Sequence, residues 1–197
     1  MNYPKFFDEI ETIKLQDELA SFLGATQDGI VEFSYIDVVK TAGHSCPTVL
    51  GAYLMTLEGL KALYKGEIAA RGQIKVEFKE SVEEGVAGVI SNVITNITGA
   101  TKNTGFKGIN GVFNRNELMS FEEDINSSVR FTRVDTNEKV DVLYDPSSIL
   151  PNPKMKELMQ KIFMKKASED EVLEFKKFWQ ERVENISKNR AKVIRIL

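Results

Sequence analysis

Two side chains able to hold a transition metal or attack an electrophile occur once each in this sequence, and they stand two residues apart. They are His44 and Cys46, in the run Gly43-His44-Ser45-Cys46-Pro47. Imidazole and thiolate are ligands for zinc and related divalent ions. Pro47 suits the first position of a helix, where its missing N–H would have had no partner. Cys46 then falls at or beside the N-cap, where unpaired backbone N–H groups and the helix dipole favour the anionic, metal-binding and nucleophilic form of a thiol. Gly43 lets the chain turn sharply just before the pair. The ordinary alternative is a cysteine packed as a small apolar residue and a histidine hydrogen-bonded in a loop, and the i, i+2 spacing of the only two such residues argues for a site instead.

The elements that must position this pair can be read on either side of it. From Pro47 to about Lys65, Leu50, Leu54 and Leu57 follow helical spacing, while Gly51, Met55 and Gly59 form a slimmer row that lets the helix approach a sheet closely. Upstream, Gly29 to Val39 alternates Val31, Phe33 and Tyr35 with Glu32 and Ser34, which predicts a strand delivering the chain to His44. Before it, Tyr3 to Leu23 has the apolar spacing of an amphipathic helix stopped at Gly24. Downstream, Gln73 to Phe78 and Val86 to Ile97 are rich in β-branched residues and flank Glu83-Glu84-Gly85, which predicts an antiparallel pair. Val112 to Asn114 is a short strand, and Val129 to Val134 with Lys139 to Tyr144 flank a turn at Asp135 to Glu138, a β-hairpin.

A second group with chemical potential lies between these segments. Thr98-Gly99-Ala100-Thr101 opens a stretch rich in glycine, hydroxyls and lysine that runs to Gly111. It lacks the Gly-Lys-Ser/Thr of a P-loop, but Thr98, Gly99 and Thr101 offer N–H and O–H donors for an anion or a cofactor.

Prolines at 146, 151 and 153 mark a change of character. They divide an α+β domain, residues 1–145, from a helical extension, residues 146–197. Asn152 and Pro153 start a helix carrying Met155, Leu158, Met159, Ile162 and Phe163, and Ser168 with Glu171 forms a capping box for a second. The second helix presents Val172, Phe175, Phe178, Trp179, Val183 and Ile186, a face that must cover the core or a partner subunit. The basic end, Lys188 to Arg195, reads as a solvated tail. The expected fold class is α+β: a mixed or largely antiparallel sheet packed on helices, with a C-terminal helical hairpin.

Composition narrows the function. A chain of 197 residues, 42% of them hydrophobic, buries a substantial core. The net charge of -3, with both signs interspersed, gives no field for a phosphate backbone or a membrane surface, so nucleic acid and membrane are not expected partners. No apolar run approaches the roughly 20 residues that span a bilayer, and the first residues lack a secretory pattern, so a cytoplasmic location is expected. One cysteine cannot form an intramolecular disulfide and stays available as ligand or nucleophile.

With Gly51 one helical turn on, the Gly43-His44-Ser45-Cys46-Pro47 run resembles the E-subunit family of formylmethanofuran dehydrogenase, whose pattern is Gly-His-x-Cys-Pro. Thr98-Gly99-Ala100-Thr101 is similar to that family's Thr-Gly-Cys-Thr loop. The resemblance covers roughly residues 37–111 and extends more weakly through the hairpin. It implies an α+β domain, commonly a homodimer, with a metal, usually zinc, near the His-x-Cys segment. Only His44 and Cys46 match the motif's ligand positions. Ala100 stands where the family places a further cysteine, and Asn92 where it often has an aspartate. Catalytic zinc ordinarily takes three protein ligands, so a carboxylate such as Asp37 or a neighbouring copy of the chain would have to complete the set.

Three functions follow. The first is a metal-binding protein, holding zinc or another divalent transition metal on His44 and Cys46, accessory to or part of a redox system. The second is a cysteine-dependent enzyme with Cys46 as nucleophile, His44 beside it and backbone donors for an oxyanion from Thr98 to Thr104, acting on an acyl or disulfide-like small-molecule substrate. The third is a haem-binding module with His44 or Cys46 as axial ligand and the aromatic second helix closing the pocket.

Overall fold

A computed structural model describes residues 2–197, and in it Pro47–Tyr64 forms the helix that the sequence predicts. In chain order, a 3-10 turn at Lys5–Glu9 leads to β1 (Ile13–Gln16), α1 (Glu18–Phe22), β2 (Ile30–Phe33), α2 (Tyr35–Ala42) and α3 (Pro47–Tyr64). Then come β3 (Ala69–Ala70), β4 (Ile74–Phe78), α4 (Ala87–Thr98), β5 (Met119–Ser120), β6 (Val129–Arg133) and β7 (Lys139–Tyr144). The last elements are α5 (Met155–Phe163), α6 (Glu169–Lys188), α7 (Arg190–Val193) and β8 (Ile194–Ile196).

The α3 helix is central because it is apolar all round. Thirteen of its eighteen residues are buried, which is the signature of an interior helix. It packs against α4 and α2, against β6, β7 and β8, and against α6. Leu50, Leu54, Met55 and Leu63 are each at most 1% exposed, and each contributes about 1.5–3 kcal/mol by leaving water. The slim row works as expected. A Cβ on Gly51 would lie 2.3 Å from Tyr144 Cε1, and one on Gly59 would lie 2.7 Å from Phe131 Cδ2, so these two glycines let the helix sit directly on the β6–β7 surface.

The fold is α+β with two mixed sheets. The larger has strand order β5-β4-β6-β7-β8, antiparallel except for the parallel β4–β5 pair. The smaller has order β2-β1-β3, with β1 antiparallel to β2 and parallel to β3. The expected hairpin is β6–β7, with Val129 opposite Val142 and Thr132 opposite Lys139. The C-terminal hairpin is α5 packed on α6, and α6 begins with the predicted capping box of Ser168 and Glu171.

Five expectations are corrected. Val86 to Ile97 is not a strand paired with β4; it is α4, and β4 is flanked by β5 and β6. Its buried residues Ala87, Ile90, Val93, Ile94 and Ile97 recur at three and four, a helical period that outweighs their β-branched propensity. Tyr3 to Leu23 is not one helix. Ile13 and Leu15 point inward and Lys14 outward, the two-residue period of a strand, and Asp17 then caps α1. Gly29 to Val39 is strand only as far as Phe33, because Ser34 and Asp37 form a capping box that opens α2. Lys188 to Arg195 is no solvated tail: Val193 and Ile194 are buried and β8 pairs with β7, Tyr144 opposite Ile194. Val112 makes only an isolated bridge to Ile109.

The segment after Asp145 also feeds the main core, through Val183, Ile186, Val193 and Ile194. No helix among the described residues is long and apolar enough to cross a membrane.

Candidate functional site

The His44–Pro47 loop is held by side chains from three elements, α2 just before it and the distant β7 and α6. Gly43, at φ 75°, ends α2 in the left-handed conformation that suits glycine, and the chain turns there. Ser45 then meets Tyr35 at the start of α2, Oγ to phenol oxygen 2.9 Å. The Ser45 carbonyl accepts the indole N–H of Trp179 from α6 at 2.9 Å, with Gln180 Nε2 at 3.4 Å. The Tyr144 hydroxyl, at the end of β7, donates to the Pro47 carbonyl at 2.7 Å. Backbone groups that a loop would otherwise give to water are thus pinned by protein donors.

Cys46 is the N-cap of α3, and its Sγ accepts the Val49 N–H at 3.4 Å. It is half-buried and packs on the core cluster. Here a sulfur does the work usually done by a serine or aspartate oxygen, at the point where a helix best tolerates negative charge. Tyr35 and Tyr144 stand close by. Burial pushes both phenols well above their ordinary range, and negative charge at Cys46 pushes them further, while the Ser45 hydrogen bond opposes the rise at Tyr35. Both therefore remain protonated beside the thiol at all ordinary pH.

His44 is exposed, and its Nδ1 lies 3.0 Å from the Ala42 carbonyl. A carbonyl can only accept, so Nδ1 carries the proton in the neutral ring and Nε2 is left as a lone pair. The two predicted residues thus share a loop but differ in setting, one against the core and one in solvent.

Asp37, the acid considered as a third ligand, is spent elsewhere. Its carboxylate accepts from Ser34 N–H at 3.0 Å and Ser34 Oγ at 2.7 Å and pairs with Lys40. Burial would raise its pKa, but these partners hold it below the usual carboxylate value. Ala100 is fully buried in the core. Among the described residues no three His, Cys, Asp or Glu side chains are grouped closely enough to hold a metal ion. His44 and Cys46 alone do not fit the three- or four-ligand set of a zinc site.

The Thr98–Thr101 loop is at the other end of the sheet. Gly72 N donates to Thr98 O at 2.8 Å, which fixes the end of α4 near the start of β4, where Ile74 pairs with Arg133. The Cys46 loop is held at Tyr144, six residues along β7 from Glu138, whose carbonyl accepts from Arg133; at strand rise that is roughly 20 Å. Thr98, Gly99 and Thr101 are therefore not brought to His44 and Cys46. Their hydroxyls are used internally: Thr98 Oγ1 donates to Ile94 O and Thr101 Oγ1 to Arg115 O, both at 2.8 Å.

What surrounds Thr98–Thr101 is an ion cluster that sequence reasoning missed. Asp17, 3% exposed, accepts from Arg71 at 2.8 Å and from Arg115 at 2.7 Å, and caps α1 at Leu19 and Ala20. Arg71 also donates to the Ile97 and Asn96 carbonyls at the C-terminus of α4. The second positive charge is thus answered by helix carbonyls. Gly99 gives the guanidinium groups room, since a Cβ there would lie 3.3 Å from Arg115 Nη1. No local signal links Asp17 to Arg115, 98 residues away.

The face of α6 that carries Trp179 builds a further feature. A cavity of about 600 Å³ lies between the N-terminal segment, α2, α5 and α6, with walls that include Phe7, Val39, Met159, Ile162, Phe175 and Trp179, and it reaches Ser45.

Among known proteins, the family model described as "FmdE, Molybdenum formylmethanofuran dehydrogenase operon" matches residues 41–194, further along the chain than the motifs alone indicate. No curated protein matches the chain.

Proposed function

The chain belongs to the FmdE family, and from that premise we propose that its working atom is the Cys46 thiol, a nucleophile seated on the N-terminus of the buried helix α3. The observation that carries this reading is the Val49 N–H to Cys46 Sγ contact at 3.4 Å, which sets the sulfur against the positive end of an 18-residue helix. His44, with Nε2 free, serves as an accessible proton acceptor in the same loop. The phenols of Tyr35 and Tyr144 keep the loop in one conformation. The thiol would give its proton to His44 Nε2 or to solvent, the sulfur would form a bond to an electrophilic carbon or sulfur as the bond to the leaving group breaks, and the leaving group would take up that proton. No step runs through a metal, because the ligand set does not fit one.

Cys46 is the only cysteine, so labelling reports on this atom alone. Iodoacetamide should alkylate the native protein at least about threefold faster than the urea-unfolded chain at the same pH. His44→Ala should slow the native rate. Native labelling slower than unfolded labelling removes the reading. Stoichiometric zinc in protein purified without added metal, lost in both Cys46→Ser and His44→Ala, would restore the metal reading with ligands from another copy. The haem reading is favoured by the aromatic cavity that reaches Ser45, between the two possible axial ligands. A Soret band after haemin addition, lost in His44→Ala or Cys46→Ser, would support it, and no band would end it.

A further inference from the structure

The cavity beside Ser45 has walls almost entirely of aromatic and aliphatic side chains, and among the described residues Lys176 is the only charged one along them. Lys176 is exposed and makes no ion pair or hydrogen bond among the described residues, whereas its helix neighbours Lys177 and Lys188 are paired with Glu181 and Glu184. The chamber's volume of about 600 Å³ is in the range of small-molecule sites. Phe163, from the end of α5, stands 79% exposed at the rim.

An apolar chamber with one unanswered cation fits one class of occupant. We infer that this cavity binds a small apolar molecule carrying a single carboxylate, its hydrocarbon part between the N-terminal segment and the α5–α6 hairpin and its carboxylate on Lys176. The charge selects an anion, and the apolar walls select a long or ringed hydrocarbon over a small polar acid. Lys176 lies one turn before Gln180 on α6, and Gln180 holds the Ser45 carbonyl, so the occupant rests against the back of the His44–Cys46 loop. The inference does not use the chemistry of Cys46 and stands whether or not that thiol reacts.

The single tryptophan, Trp179, is in the wall, so its emission reads the cavity directly. Titration of the full chain with octanoate, decanoate and dodecanoate should give saturable one-to-one changes. Affinity should rise about fourfold for each methylene, the burial of one CH₂. Decanol should bind several-fold more weakly than decanoate. Lys176→Glu, at an exposed position, should leave the circular dichroism and urea midpoint unchanged, weaken decanoate about fivefold or more and improve decylamine. Equal binding of decanoate and decanol, or no effect of Lys176→Glu on a folded variant, overturns the assignment. So does a Trp179 signal that ignores all three acids and follows protein concentration, which would make the cavity an interface between copies.

Discussion

Replacing Gly51 with alanine tests how tightly the helix beneath the reactive loop is set on the sheet. The new Cβ would stand 2.3, 2.5 and 2.7 Å from Cε1, Cζ and Cδ1 of Tyr144, against the 3.5–4.0 Å of an ordinary carbon contact. The ring must retreat by about 1 Å, and its hydroxyl then leaves the Pro47 carbonyl it reaches at 2.7 Å. Overpacking costs about 1–3 kcal/mol and the lost hydrogen bond about 0.5–1.5. Alanine returns about 1 kcal/mol through its helix propensity. The net expectation is a loss of about 1–3 kcal/mol, measured as a lower urea midpoint at unchanged slope. The decisive comparison is a double-mutant cycle with Tyr144→Ala, which clears the space. There Gly51→Ala should turn from destabilising to mildly stabilising, because only the propensity gain is left. Cys46 labelling should change with Gly51→Ala in the native protein, since Pro47 follows it directly. If the substitution stabilises the parent, or costs the same in both backgrounds, the close approach of α3 to Tyr144 is wrong.

Other expectations follow from the same geometry. Asp17→Asn leaves Arg115, 6% exposed, without its counter-charge and should cost about 3–5 kcal/mol in urea unfolding. Burial alone would raise the Asp17 pKa, but Arg71 and Arg115 bring it below its ordinary value. Its contribution is therefore full above the unfolded-state pKa, about 4, and fades as pH falls through the lower folded value, so the gap between parent and Asp17→Asn should narrow below about pH 4. Trp179→Phe keeps an aromatic ring but removes the donor to Ser45 O; it should lose about 1 kcal/mol and alter the Cys46 labelling rate. Gly59→Ala meets Phe131 and Val142 in the closed core and should be at least as destabilising as Gly51→Ala, without its effect on labelling.

The start of α3 was legible because the signals are local and agree. Pro47 at the first helical position, a capping side chain before it and the row of Gly51 and Gly59 are all fixed by short-range sterics. The β6–β7 hairpin was legible for the same reason. The α4 helix was misread because Val89, Ile90, Val93 and Ile94 favour strands in isolation, while the period of its buried residues decided for helix. What makes the site lay out of reach of pattern reading. Tyr35, Tyr144 and Trp179 converge on residues 45–47 from 10, 97 and 134 positions away, and nothing in their neighbours announces it. The same distance hid Arg115 from Asp17, which made Thr98–Thr101 read as a ligand loop when its hydroxyls serve α4 and the Arg115 carbonyl. The aromatic face of α6 was read correctly as one needing cover, but its partial cover by Phe7 and Val39, which leaves a chamber, needed three dimensions.

The clamp on residues 45–47 also sets when chemistry can begin. Two of its three hydrogen-bonding fingers, Tyr144 and Trp179, reach it from 97 and 134 positions away, so the entropy of closing long loops falls on this segment before its geometry exists. A half-assembled chain would hold helix and sheet yet leave the sulfur on a loop free to wander. Undocking of α5 with the Trp179 end of α6 would release the grip from one side, while Val183 and Ile186 further along α6 stay in the core. Heating should therefore uncouple Cys46 from its surroundings ahead of the collapse of the core, and the lone thiol becomes an internal gauge of whether the last piece has docked.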